Sequence, residues 1–154
     1  MKSKFTKFND TFPPLWRQFL SAGTEWIDTY ETLQNYKKQN MNAVAIFYAP
    51  PFALSMSMEC LVKALASFYD STFDPFKYRH RTSDVIKDYA SIIPLFDKIS
   101  KNSFLIDLIK EYENTLDTKF GGTYVQMDRA EAEVLLNTAC DIRAKVLKVS
   151  GVKF

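Results

Sequence analysis

Long stretches of helical hydrophobic period alternate along the chain with short polar or proline-marked breaks. From about Pro13 to Lys38, Trp16, Leu20, Ile27, Tyr30 and Leu33 recur at near-helical spacing with polar residues between them. That is the mark of an amphipathic helix. Pro13 and Pro14 suit its first turn, where a missing N–H costs nothing. Gly23 either weakens its middle or admits a close neighbour. The second stretch, "APPFALSMSMECLVKALASFYD", residues 49–70, carries two stripes. Leu54, Met58, Leu61, Leu65 and Phe68 form a large one. Ala53, Ser57, Cys60, Ala64 and Ser67 form a small one beside it, suited to close approach by another helix. Glu59 and Lys63 lie at i,i+4 in the favourable order on the thin polar edge left over. They read as an exposed ion pair worth about 0.3 kcal/mol. Two apolar stripes with so little polar edge predict the central helix of a bundle.

The segments around it are shorter. The apolar run 43–48 reads as a helical turn leading into the second helix, because no partner strand is evident. "DSTFDPFKYRHRT" reads as a loop. Thr82 or Ser83 then caps a helix with Val85, Ile86, Tyr89 and Ile93 inward, and Pro94 breaks it. Ser103 is expected to cap the next, with Leu105, Leu108, Ile109, Tyr112 and Leu116 inward. Asp128, with Glu131 three residues on, starts the last helix. Its face is Ala132, Leu135, Ala139, Ile142, Val146 and Val149, and Gly151 stops it. The expectation is an all-α fold without a sheet.

Composition narrows the class. A chain of 154 residues suits a single domain, 1–154, with its core in about 13–150. Four glycines are few for a turn-rich β architecture. A net charge of +2 does not by itself point to nucleic acid. Two distant cysteines, Cys60 and Cys140, make no disulfide framework and point to a reducing compartment. "MKSKFTKFND" lacks an apolar h-region, and no uncharged stretch reaches membrane-spanning length, so a cytoplasmic protein is expected, with no membrane partner. One histidine and two cysteines exclude an ordinary zinc site, and neither a Gly-x-Ser-x-Gly elbow nor a phosphate-loop spacing is present. No metal or cofactor is expected. Met56 and Met58 read as core filling.

The second helix resembles the HEPN family (higher eukaryotes and prokaryotes nucleotide-binding), whose members often read Ala-Pro-Ala, apolar residues, then Ala-x-Glu-x-x-Leu-Lys-Ala. The matching residues are Ala49, Pro50, Met58, Glu59, Val62, Lys63 and Ala64. A His-Asp-Leu helix start often follows in that family; Ser83, Asp84 and Val85 stand there, with serine in place of histidine. Near the family's Arg-Tyr-Pro segment stands "YENTLDTKFGG", with Lys119 and Phe120 as its basic-aromatic pair. The resemblance covers about residues 15–149. It implies an up-and-down bundle of four to five helices and a homodimer. It also implies a role among ribonuclease toxins, noncatalytic RNA- or nucleotide-binding modules, and partners of small nucleotidyltransferases in toxin–antitoxin, defence or stress systems.

The ribonuclease branch carries Arg, four to six residues, then His. Here the sole histidine is His80, and the positions for the arginine hold Phe73, Asp74 and Pro75, so the motif is absent. Lys119 and Tyr124 are the nearest stand-in; lysine can hold a phosphate, but tyrosine is a poor proton shuttle near neutral pH. Both also fit a solvated loop lysine and a packing tyrosine. No catalytic residue is assigned. In "FKYRHR" (76–81), Lys77, Arg79 and Arg81 can grip phosphates, Tyr78 can stack on a base, and His80 adds an imidazole. The plainer reading is a basic interhelical loop. Asp84 beside Ser83 reads as helix-start chemistry. The function that fits is a noncatalytic binding or interaction module; the alternatives are a metal-independent ribonuclease toxin with an atypical site, or a purely structural helical subunit. A homodimer is expected through the small stripe of the second helix, or through Val134 and Leu136 beside the main stripe of the last.

Overall fold

The computed structural model describes residues 13–39, 49–117 and 128–153, without the side chains of 115–117. The described residues form helices and no strand: α1 (Leu15–Gln39), α2 (Ala49–Tyr69), α3 (Pro75–Tyr78), α4 (Thr82–Tyr89), α5 (Pro94–Ser100), α6 (Ser103–Asp117) and α7 (Arg129–Ser150). The chain is all-α, as its periodicity predicts. Seven helical segments exceed the four to five expected, because the stretch between α2 and α6 folds into three short ones. One of these, α3, lies in the expected loop. Asp74 accepts the Phe76 N–H at 2.9 Å and Pro75 stands at the first turn, so a cap and a pre-set φ nucleate it. The apolar run 43–48 and the Gly-Gly loop lie outside the described residues.

α2 is the core of the assembly. Sixteen of its 21 residues are buried, covered by α1, α4, α6 and α7. By length and composition α2 is apolar enough to cross a bilayer, yet here it is enclosed by other helices. α1 runs antiparallel along it: Trp16 meets Phe68 edge-on at 5.4 Å, Gly23 faces Cys60 and Leu61, and Trp26 meets Phe52 at 5.6 Å. Leu20, Ile27 and Tyr30 are buried along the same seam, with Trp16 and Leu33 packed beside them. The remaining stripes fall as their spacing predicts: Val85, Ile86 and Ile93, then Leu105, Leu108, Ile109 and Tyr112, then Ala132, Leu135, Ala139, Ile142 and Val146 are all buried. The side chain of Leu116 lies outside the described set.

The small stripe packs inside the protomer. Ala53, Ser57, Cys60, Ala64 and Ser67 are all buried within the protomer. Small side chains let α1 approach, and Gly23 completes the fit: a Cβ there would stand 2.6 Å from Leu61 Cγ and 2.8 Å from its Cδ2. The glycine is therefore the close-approach kind. Its φ is ordinary and its missing side chain is the point.

Helix ends are largely as expected, with two shifts. Asp128 caps α7 through the N–H groups of Ala130 and Glu131, at 2.7 and 3.2 Å, and Gly151 ends it at φ 69°. α6 is capped by Asn102, whose Oδ1 accepts the Leu105 N–H at 3.1 Å, one residue ahead of the expected Ser103. α4 has no local side-chain cap; its cap comes from another helix and belongs to the site below.

Replacing Gly23 by alanine adds helix propensity of about 1 kcal/mol but forces Leu61 out of position, an overpacking cost of about 1–3 kcal/mol. Gly23→Ala is expected to lower the urea midpoint. A midpoint equal to or above the wild-type value would show that α1 and α2 do not meet this closely.

Candidate functional site

Glu59 and Lys63 are the point from which the site is built. Each is only 6% exposed, so the expected surface ion pair is in fact buried. The reason is that a loop covers the polar edge of α2. Lys63 Nζ donates to Glu59 Oε1 at 2.5 Å and to the Arg79 carbonyl at 2.6 Å, and lies 5.9 Å from the centre of the Phe19 ring. The other carboxylate oxygen, Oε2, is 2.8 Å from His80 Nδ1. A buried charge must be paired and hydrogen-bonded, and here both oxygens are used. The carboxylate can only accept, so Nδ1 carries the proton and donates. The ring is fixed, with Nε2 on its far edge and its side chain 40% exposed.

The backbone at Arg79 is unusual. Its φ is 50° and its ψ −115°, and no other non-glycine among the described residues has a positive φ. Holding a non-glycine residue in such a region costs about 1–3 kcal/mol. Lys63 grips its carbonyl and α3 and α4 close on either side, so the neighbours enforce the turn.

A second set of contacts holds the same loop from behind. Tyr78 is 5% exposed, stacks on Phe73 at 5.7 Å, and donates to Asp88 Oδ2 at 2.8 Å. Tyr89 packs edge-on against Phe73 and donates to Asp70 Oδ2 at 2.7 Å. Asp70 also accepts from the N–H and hydroxyl of Thr72, and these bonds hold its carboxyl below the usual range. Tyr78 is thus a core residue, and its expected role as an open stacking platform is wrong: one turn of helix swings it inward. The exposed aromatic of the loop is Phe76, at 64%.

The cations divide unequally. Arg81 is tied down, donating to the carbonyls of Lys77 and Tyr78 and standing 3.5 Å from Asp84. Lys77 is exposed, its Nζ 5.2 Å from the Tyr78 ring centre. Arg79 is exposed, and its guanidinium has no partner among the described residues. Lys119 and Tyr124 lie outside the described residues.

Ser83 is buried, and its N–H and hydroxyl both donate to Glu113, at 2.9 Å each. Glu113, on α6, is therefore the cap of α4, a negative charge at a helix N-terminus. Neither Thr82 nor Ser83 caps the helix with its own side chain. Glu113 was not evident from sequence, since it lies thirty residues from Ser83 in a helix whose period marks only apolar positions. Asp84 is half-buried in the first turn of α4, as expected of helix-start chemistry. Nearby, a cavity of about 10 Å³ lies among Leu54, Ser55, Met58, Tyr112 and Glu113. It has room for about one water and none for a nucleotide, so a ligand of that size would have to meet the loop at the surface.

No protein-family model, curated protein or solved structure matches the chain. No group of three or more potential metal ligands occurs among the described residues.

The buried phenols give this clamp a pH dependence. Burial first, then the bond to Asp88, pushes Tyr78 up to about 12, and burial with the Asp70 bond raises Tyr89 further. A raised folded value means stability fully present below the ordinary phenol value of about 10 and lost as pH climbs through the raised one. Stability is expected to hold to about pH 10 and to fall toward about 12, with late phenolate absorbance. Tyr78→Phe should flatten that fall. An unaltered alkaline profile in the variant would show that Tyr78 is not held neutral by the fold.

Proposed function

We propose that the chain is a noncatalytic, HEPN-like binding module that takes RNA or a nucleotide at the loop 76–81. The observation that carries this reading is the placement of Glu59 and Lys63, the residues on which the resemblance rests. Both are buried and both are spent on holding Arg79 and His80 in a fixed, strained turn. A buried charge pair and backbone strain in one place are costs that a purely structural subunit has no evident need for. The turn presents Arg79 and Lys77 outward with Phe76 beside them, which suits a phosphate backbone and one stacked base. In this reading the module acts as a homodimer in a defence or stress system, with a nucleotidyltransferase as partner. Since the small stripe is buried, the dimer face in this proposal is the one around Val134 and Leu136 on α7, where Val134 is exposed.

A ribonuclease with an atypical site is the second reading. It is favoured by one observation, the Glu59–His80 pair, which has the form of an oriented general base. The noncatalytic reading is preferred because no second proton-transfer group is placed opposite His80 among the described residues.

Binding is measured by anisotropy with a labelled single-stranded RNA and with ATP. For two cations, Lys77 and Arg79, each worth a slope of about 0.7 on a single strand, log K should fall with log salt at a slope of about −1.4. Lys77→Ala should reduce that slope by about 0.7. Arg79→Gly relieves the strained φ, so it should keep or raise the melting temperature while weakening binding about tenfold, the worth of a charge-assisted contact. Binding that ignores both substitutions would sink the assignment to this loop. In chelator the chain should leave RNA intact; cleavage abolished by His80→Asn would instead establish the ribonuclease reading.

Sedimentation at micromolar concentration should show a dimer, and Val134→Glu should give folded monomers. A monomer at all concentrations would rule the assembly out.

A further inference from the structure

We propose that His80 is a phosphoryl acceptor, a nucleophile that takes a phosphoryl group at Nε2 from small donors of the phosphoramidate or acyl-phosphate class. Three features of the ring support this. Its Nδ1 faces the buried Glu59 carboxylate at 2.8 Å and donates to it, so the neutral form of the ring carries its lone pair on Nε2. Nε2 makes no hydrogen bond to any described residue, and the side chain is 40% exposed, so the lone pair is both free and reachable. The carboxylate stabilises the positive charge that grows on the ring when Nε2 attacks, the role of the orienting third group in an activated nucleophile.

The surroundings suit the incoming group. Arg79 precedes the histidine with an exposed guanidinium that has no described partner, and Lys77 is exposed on the same turn. A planar guanidinium can bind two phosphoryl oxygens at once and lower the charge on phosphorus as the bond forms. Glu59 would be repelled by a bound phosphate if its charge were bare. Lys63 neutralises it on the opposite oxygen.

With phosphoramidate as donor the step balances without an added proton or electron. The Nε2 pair attacks phosphorus and an N–P bond forms. The donor's own N–P bond breaks, and ammonia leaves with that electron pair from the zwitterionic donor. The Nδ1 proton stays in its bond to Glu59, and the product is a phosphoimidazolium. Nothing is oxidised or reduced. Glu59 and Lys63 are positioning residues in this scheme, because they act through His80 and touch no phosphate.

The test uses the full chain and phosphoramidate at neutral pH, followed by intact mass and fragmentation. The expected result is a single phosphoryl adduct on His80, stable in alkali and lost in acid, absent in His80→Asn. It should form about tenfold faster in the folded chain than in the chain unfolded by urea, the worth of one charge-assisted hydrogen bond. Glu59→Gln should remove most of that advantage while the helical circular dichroism persists. If Glu59→Gln does not fold, Arg79→Gly, which relieves strain, supplies the same comparison through loss of the phosphoryl-binding cation. Equal rates in folded and unfolded chains, an adduct elsewhere, or full rates in the folded variants would each overturn the proposal. No RNA is present in any arm, so the outcome is separate from that of the binding measurements.

Discussion

Lys63 and Glu59 are opposite charges on a helix enclosed by its neighbours, and the arrangement around them depends on their being fully satisfied. Taking such groups from water costs several kcal/mol each (about 3–5 kcal/mol is lost when one partner of a buried pair is removed). Lysine has three N–H donors. One meets Glu59, one meets the Arg79 carbonyl, and the ammonium also stands near the face of Phe19. Glutamate has two oxygens, and His80 takes the second. Removing the side chain of Glu59, Lys63 or His80 leaves a buried partner without a bond, whereas Arg79 contributes only its backbone carbonyl. The pair is thus less a source of net stability than a rule about geometry: α1 must bring Phe19, and the segment after α3 must bring Arg79 and His80, or α2 cannot be buried.

That rule reaches outward to the surface. The Arg79 turn is unfavourable by itself, and the lysine is only one of its restraints. Behind it, Phe73, Tyr78 and Tyr89 pack as an aromatic cluster whose hydroxyls end on Asp88 and Asp70. Asp70 sits directly after α2, so the helix that carries the buried pair also anchors the far side of the loop. Two independent sets of contacts, one ionic and one aromatic, therefore define the same dozen residues. A loop held in this way keeps Arg79 and His80 in one arrangement with little conformational entropy left to lose.

The sequence disclosed the helices well and the site poorly, for reasons that differ residue by residue. Leu54, Met58, Leu61 and Leu65 announce a buried stripe because periodicity is a one-dimensional signal. Asp128 and Gly151 announce helix ends because capping is local. Glu59 and Lys63 looked exposed because an i,i+4 pair has the same spacing on a surface as in a core; what buries it is a loop sixteen residues away. Tyr78 looked available and Phe76 unremarkable, and a single turn of helix reversed them. Glu113 gave no signal at all, since its partner is on another helix. The small stripe is a place of close approach, as its residue sizes imply. Its neighbour proved to be α1 of the same chain, because Gly23 supplies the matching hollow.

The contact at Ser83 connects these observations. At this helix start Ser83 offers two donors a short distance apart, an N–H and a hydroxyl, which chelate the Glu113 carboxylate at 2.9 Å each. The chain's one histidine stands three residues earlier, on the strained side of the turn, where its ring reaches the carboxylate of α2. The two carboxylates thus have different duties. Glu113 is consumed by capping and holds α4 to α6. Glu59 is shared between a lysine and a half-exposed ring, which links this buried carboxylate to the surface.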